Sequence, residues 1–124
     1  MRKRLLIVED ETAILNALAL YFGNQGYAVD TALERTDAEA FLAQRRYDAM
    51  LADLRLGGSS DTGGLELVSL VRERWPGTRI VLLTAYGSAE IEQEAWRRGI
   101  DAFLHKPQPL AAIALVVSSL LQDG

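Results

Sequence analysis

Hydrophobic positions along the chain switch between two periods. Short runs rich in Val, Ile and Leu occur at Leu5 to Val8, Ala49 to Ala52, Ile80 to Leu83 and Ala102 to Leu104. Continuous runs of this length predict strands buried on both faces. Tyr27 to Thr31 (YAVDT) alternates instead, which predicts a strand with one wet side. Between these runs, helical spacing covers roughly Thr12 to Gln25, Thr36 to Arg45, Gly64 to Trp75, Ser88 to Arg98 and Pro109 to Gln122. The punctuation agrees. Thr36 followed by Glu39 predicts a capping box, and Gly26 and Gly99 stand where left-handed caps end helices. Pro76-Gly77 stops the third helix, and Pro109 suits the first turn of the fifth. Strand and helix thus alternate five times, which predicts an α/β domain whose parallel sheet is covered on both faces by right-handed crossovers. No repeat or linker interrupts the pattern, so residues 1–124 are expected to form a single domain.

Composition narrows the chemistry. A hydrophobic content of 49% over 124 residues is enough for one real core. No run of 18 or more apolar residues occurs, so no membrane insertion is expected. Arg2, Lys3 and Arg4 precede an apolar run that Glu9 ends too early for a signal peptide, so a cytoplasmic location is expected. The absence of cysteine excludes disulfides and thiolate metal sites, and a single histidine excludes most zinc chemistry. A net charge of −4 argues against direct nucleic acid binding by the domain.

The polar residues that end each run carry the functional signal. LLIV ends in Glu9-Asp10, AMLA in Asp53, IVLL in Thr84 and AFLH in Lys106. In a parallel sheet these carboxyl ends share one edge, where ligands of open α/β folds bind. Carboxylates gathered there repel one another unless a cation is supplied. Mg²⁺ fits best, because it takes few carboxylates and shares its other positions with water and phosphate oxygens. With a hydroxyl from Thr84 and an ammonium from Lys106, the set describes phosphoryl transfer by positioning and charge neutralisation. An aspartate is then the natural acceptor.

Four pieces in order, VED after strand 1, LADLRL around strand 3, LLTA at strand 4 and LHKP at strand 5, resemble the receiver domain of two-component response regulators. The likeness runs over essentially the whole chain. It implies a three-layer, flavodoxin-like (βα)5 fold with strand order 2-1-3-4-5. It implies a signalling switch, not an enzyme, in which Asp53 takes a phosphoryl group from a sensor histidine kinase or a phosphotransfer domain. By the same resemblance Asp10 and Asp53 ligate Mg²⁺, Glu9 acts through bound water, and Arg55 gives its backbone carbonyl to the metal. Thr84 and Lys106 hold the phosphoryl oxygens. Phe103 stands where the family's switch aromatic stands, and Lys106-Pro107 is a peptide the family often builds cis.

Two departures from the family pattern stand out. The loop after the acceptor, LRLGGSSDTGG from Leu54 to Gly64, is about three residues longer than usual and lacks proline. The fifth helix, LAAIALVVSSLL, has no charge. With Leu110, Ile113, Ala114, Val117, Leu120 and Leu121 facing the core, Leu115 and Val116 face outward and point to a homodimer or an intramolecular partner. His105 lacks the helical context of a phosphodonor and reads as structural, while Gly57-Gly58 and Gly63-Gly64 fit neither phosphate-loop fingerprint. Two other functions stay open: an interaction module of the same fold that takes no phosphate, and a haloacid-dehalogenase-like phosphatase. The phosphatase requires a second Asp where this chain has Arg55.

Overall fold

The computed structural model describes residues 2–56, 63–85 and 87–122. Strands β1 (Arg4–Val8), β2 (Ala28–Ala32), β3 (Ala49–Ala52), β4 (Arg79–Thr84) and β5 (Ala102–His105) alternate with helices α1 (Thr12–Asn24), α2 (Arg35–Gln44), α3 (Gly63–Arg74), α4 (Ala89–Arg98) and α5 (Leu110–Leu121). All strand pairs are parallel, in the order β2-β1-β3-β4-β5. The expected topology holds, and residues 57–62 of the long loop, including Gly57-Gly58, lie outside the described set.

The period-2 geometry of the strands splits the core in two. Leu6, Val8, Met50, Ala52, Ile80 and Leu82 pack against α2, α3 and α4, and Phe103 joins them from β5. Leu5, Ile7, Ala49, Leu51, Val81 and Leu83 face α1 and α5, against Leu18, Phe22, Ile113 and Val117. The three central strands therefore show unbroken apolar runs because each face has its own helical layer. At roughly 1.5–3 kcal/mol for each fully buried aliphatic or aromatic side chain, this burial is the main force holding the layers together.

Local signals explain where helices begin and end. Ser88 caps α4 by accepting a hydrogen bond from the Ile91 backbone N–H at 3.2 Å. Glu90 and Glu92 lie in its first turn and Arg97 and Arg98 in its last, as the helix dipole favours. It stops at Gly99, whose φ of 106° is costly for a residue with a Cβ.

Three expectations need correction. The capping box at Thr36 and Glu39 does not form: α2 starts one residue earlier, Thr36 donates to Glu34, and Glu39 accepts from Arg35 at 2.7 Å. Arg35 also reaches Glu66 on α3, so ion pairing between helices has replaced the cap. Pro109 sits just before α5, not inside its first turn, and its carbonyl accepts from Ala112 and Ile113. On α5, Leu115 is 68% exposed as expected, but Val116 is half-buried against the α1/α5 core.

Polar contacts pin the strand starts, at the end of the sheet opposite the acidic residues. Thr78 donates to the Tyr47 carbonyl at 2.8 Å, and the Tyr47 hydroxyl donates to Asp30 Oδ2 at 2.5 Å. Asp101 Oδ2 accepts from the Ile80 N–H and from Arg72, tying β4 to α3. Burial, together with the Asp30 carboxylate, pushes the Tyr47 phenol well above its ordinary value of 10.0. The folded chain keeps this proton at pH values where the unfolded chain loses it, so this contribution is complete below about pH 10 and is lost as pH rises above it. Alkaline stability curves should therefore fall less steeply for Tyr47→Phe than for the native chain, with a loss of about 1 kcal/mol near neutrality from the missing hydrogen bond. Urea titrations across that range measure both.

Candidate functional site

β1 and β3 are neighbours, with Val8 paired to Ala52, so the residues just beyond them meet at the carboxyl edge of the sheet. One backbone bond continues the pairing, from the Asp53 N–H to the Val8 carbonyl at 3.0 Å. Glu9, Asp10 and Asp53 offer carboxylate oxygens that all lie within 4.8 Å of one another. Glu9 and Asp53 are buried, at 2% and 4% exposure, and Asp10 faces water. Lys106 arrives from the end of β5, where its backbone N–H still bonds the Thr84 carbonyl at 2.9 Å.

Among the described residues, four hydrogen bonds hold the two buried carboxylates. Lys106 Nζ donates to Glu9 Oε1 at 2.6 Å and to Asp53 Oδ2 at 3.0 Å. The remaining oxygen of each accepts from a backbone N–H two residues on: Glu9 Oε2 from Glu11 at 3.1 Å, and Asp53 Oδ1 from Arg55 at 3.2 Å. Each acid thus has one ammonium contact and one amide contact. A single ammonium still cannot neutralise three carboxylates.

Burial raises the Glu9 carboxyl above its usual value, against the lowering effect of its hydrogen bonds from Lys106 and Glu11, while Asp53 nearby raises it further. Burial alone would lower Lys106, but its hydrogen bonds to Glu9 and Asp53 outweigh that and hold its pKa up. Lys106 therefore stays charged at neutral pH.

The sequence-derived residues come together here. Glu9, Asp10, Asp53 and Lys106 form one cluster, Arg55 joins through its backbone, and Thr84 is fully buried at the end of the adjacent β4. Phe103 and Thr84 share the α4 side of the sheet, because Leu82 pairs with Phe103 and Thr84 with His105. Lys106-Pro107 is cis.

Sequence reasoning missed Gly64. A Cβ there would lie 2.6 Å from the Asp53 carbonyl oxygen and 2.6 Å from Leu54 Cα, distances that real side chains do not reach. The Gly64 N–H bonds the Leu54 carbonyl at 2.8 Å, so the start of α3 rests directly on the backbone of Asp53 and Leu54. Only the GG pair hinted at this close approach, and it matched no known fingerprint.

Residues 5–118 match the family described as response regulator receiver domain. Among curated proteins, the chain is 33% identical over 121 residues to the response regulator protein PilR of Pseudomonas aeruginosa, covering 98% of this chain and 26% of that protein. It is 32% identical over 119 residues to the transcriptional regulatory protein ResD of Bacillus subtilis, covering 96% and 48%. The chain thus spans about a quarter to a half of the length of these relatives. Among solved structures, a CheY-like receiver domain protein from Methanospirillum hungatei superposes with a TM-score of 0.92 at 27% identity, covering 98% of this chain and 94% of that one. A response regulator from Burkholderia pseudomallei with a phosphorylated aspartic acid, a calcium ion and citrate gives 0.85 at 29%, covering 93% and 66%.

Replacing Lys106 by Met should leave two buried carboxylates without a counter-charge and cost on the order of 3 kcal/mol at pH 7. The deficit should narrow as pH falls, because losing the Lys106 hydrogen bond, which lowers the Glu9 pKa, lifts that pKa further in the variant and makes its folded state the stronger proton binder. Urea denaturation of both proteins at several pH values tests the size and the sign together.

Proposed function

The chain belongs to the response regulator receiver domain family, and from that premise we propose that Asp53 is its phosphoacceptor, charged by a sensor histidine kinase or a phosphotransfer domain. The observation that carries this reading is the convergence of Glu9, Asp10 and Asp53, two of which, Glu9 and Asp53, share the Lys106 ammonium. The relative from Burkholderia pseudomallei, which bears a phosphorylated aspartic acid, supports it.

The donor set fits a hard divalent cation: three carboxylates converge, and Asp10 keeps its water-facing side for solvent ligands. Glu9, Asp10 and Asp53 would hold Mg²⁺, with the Arg55 carbonyl as a further ligand. The ion would offset carboxylate charge and screen the approaching phosphoryl oxygens.

The remaining work falls to side chains of this chain. Hydrogen bonds from Arg55 and Lys106 fix the Asp53 carboxylate in orientation before reaction. An Asp53 oxygen forms the new P–O bond as the donor's P–N bond breaks, and that electron pair returns to the donor imidazole. The product carries about −1.5 to −2 units of added charge. Lys106 then trades its carboxylate contact for the phosphoryl oxygens, where charge-assisted bonds are stronger. The Thr84 hydroxyl moves toward the same oxygens and vacates space on the α4 side, which Phe103 fills. A decisive shift of that kind takes on the order of 5 kcal/mol of differential interaction. A phosphatase of the haloacid-dehalogenase kind is disfavoured, since Arg55 occupies the position of its required second Asp.

Incubation with Mg²⁺ and acetyl phosphate should add one phosphoryl group, read by intact mass. The adduct should be absent from Asp53→Asn and when the metal is chelated. An adduct that persists in Asp53→Asn would sink this assignment. For partners, the 68% exposed Leu115 on α5 is the residue proposed to meet a second copy or an adjoining domain. Leu115→Lys should lower the sedimentation coefficient of a self-associating preparation, and an unchanged coefficient would retire the interface.

A further inference from the structure

The ring of Phe103 rests on Gly87, in the loop between β4 and α4. A Cβ built on Gly87 would lie 2.8 Å from Phe103 Cζ and 3.2 Å from Cε1, so the ring occupies room that exists only because residue 87 has no side chain. His105, two residues along the same strand face, adjoins both. Its imidazole meets the Phe103 ring edge-on, with centroids 5.2 Å apart and planes at 65°. His105 Cε1 is 3.8 Å from the same Gly87 position, and its Nε2 lies 3.8 Å from Glu92 Oε1 on α4. Phe103 is therefore seated against both Gly87 and His105, and part of the seat belongs to the loop that follows Thr84.

We infer that Gly87 is a positioning residue for Phe103: its bare Cα, with the His105 ring beside it, holds the aromatic side chain in its resting place and links it to the β4–α4 loop. This deepens the proposed function and rests on Phe103 moving when Asp53 is phosphorylated. Backbone clashes at glycine usually break a fold, but here the atoms in the way are the far end of a side chain that can swing. A methyl group at position 87 displaces the ring, not the backbone. The resting arrangement loses stability relative to the alternative one, and a donor that reacts with the alternative finds it more populated.

The test is a double-mutant cycle on the whole chain with Mg²⁺ and acetyl phosphate, alongside ring-proton spectra of Phe103 and a thermal melt. Gly87→Ala should melt cooperatively, shift the Phe103 ring resonances and speed phosphorylation of Asp53 by about threefold or more. In a Phe103→Ala background the same substitution should change the rate by less than about 1.5-fold, because there is no ring to displace. A full effect in that background would overturn the inference, as would Phe103 resonances that do not move. Resonances that move with no change in rate would overturn the role of Phe103 in the switch while leaving Asp53 as acceptor untouched. Should Gly87→Ala fail to fold, His105→Ala loosens the same seat at its other neighbour and must meet the same criteria.

Discussion

One ammonium group shared by two enclosed carboxylates is the contact on which the acidic edge depends. Removing Glu9 and Asp53 from water is expensive, and the edge forms only because Lys106 travels from the end of β5 to meet both. That contact fixes more than two side chains. It requires β1 and β3 to be adjacent and β5 to end within reach, which the order β2-β1-β3-β4-β5 supplies. The compensation is also incomplete, since Asp10 adds a further negative charge beside the pair. A site left short of positive charge is poised to take up a cation, and a cation that neutralises carboxylates also admits a phosphoryl group.

Much of this was legible in the sequence, for a physical reason. Doubly covered central strands must be apolar throughout, so each polar residue at the end of a run marks the edge where the chain leaves the core. Glu9, Asp53, Thr84 and Lys106 could be placed on one edge by that logic alone. Features decided by competition between side chains could not be read in the same way. Thr36 and Glu39 have the spacing of a cap, yet Arg35 claims Glu39 and reaches Glu66. The outward placing of Val116 fails because α5 has no charged face to fix its rotation, and the side chain packs partly against the α1/α5 core. The contact of Phe103 with Gly87 leaves no trace in spacing, because it depends on how a loop returns over a strand.

The two faces of the sheet divide the labour. On the α1/α5 side, edge-on contacts of Phe22 with Tyr21 and Tyr27, centroids 5.9 and 5.5 Å apart, add specificity to an aliphatic core. Helix α4 is built differently: it is largely polar, contributes only Ala95 as a buried residue, and approaches β5 where Glu92 lies 3.8 Å from His105. An element with so little apolar surface committed to the core can shift at modest cost. Among the helices α4 thus commits the fewest described residues to the core, one against the two to six of the others.

The knots of hydrogen bonds at the strand starts give this asymmetry its mechanical meaning. Asp101 gathers Arg72 and β4, and Tyr47 joins Asp30 to Thr78, all at the far end from Asp53. The sheet is clamped like a vice at its base while its other rim carries the loops. On the proposed function, a displacement that begins beside Asp53 would therefore spread through the loops and α4 and leave the strand starts in place.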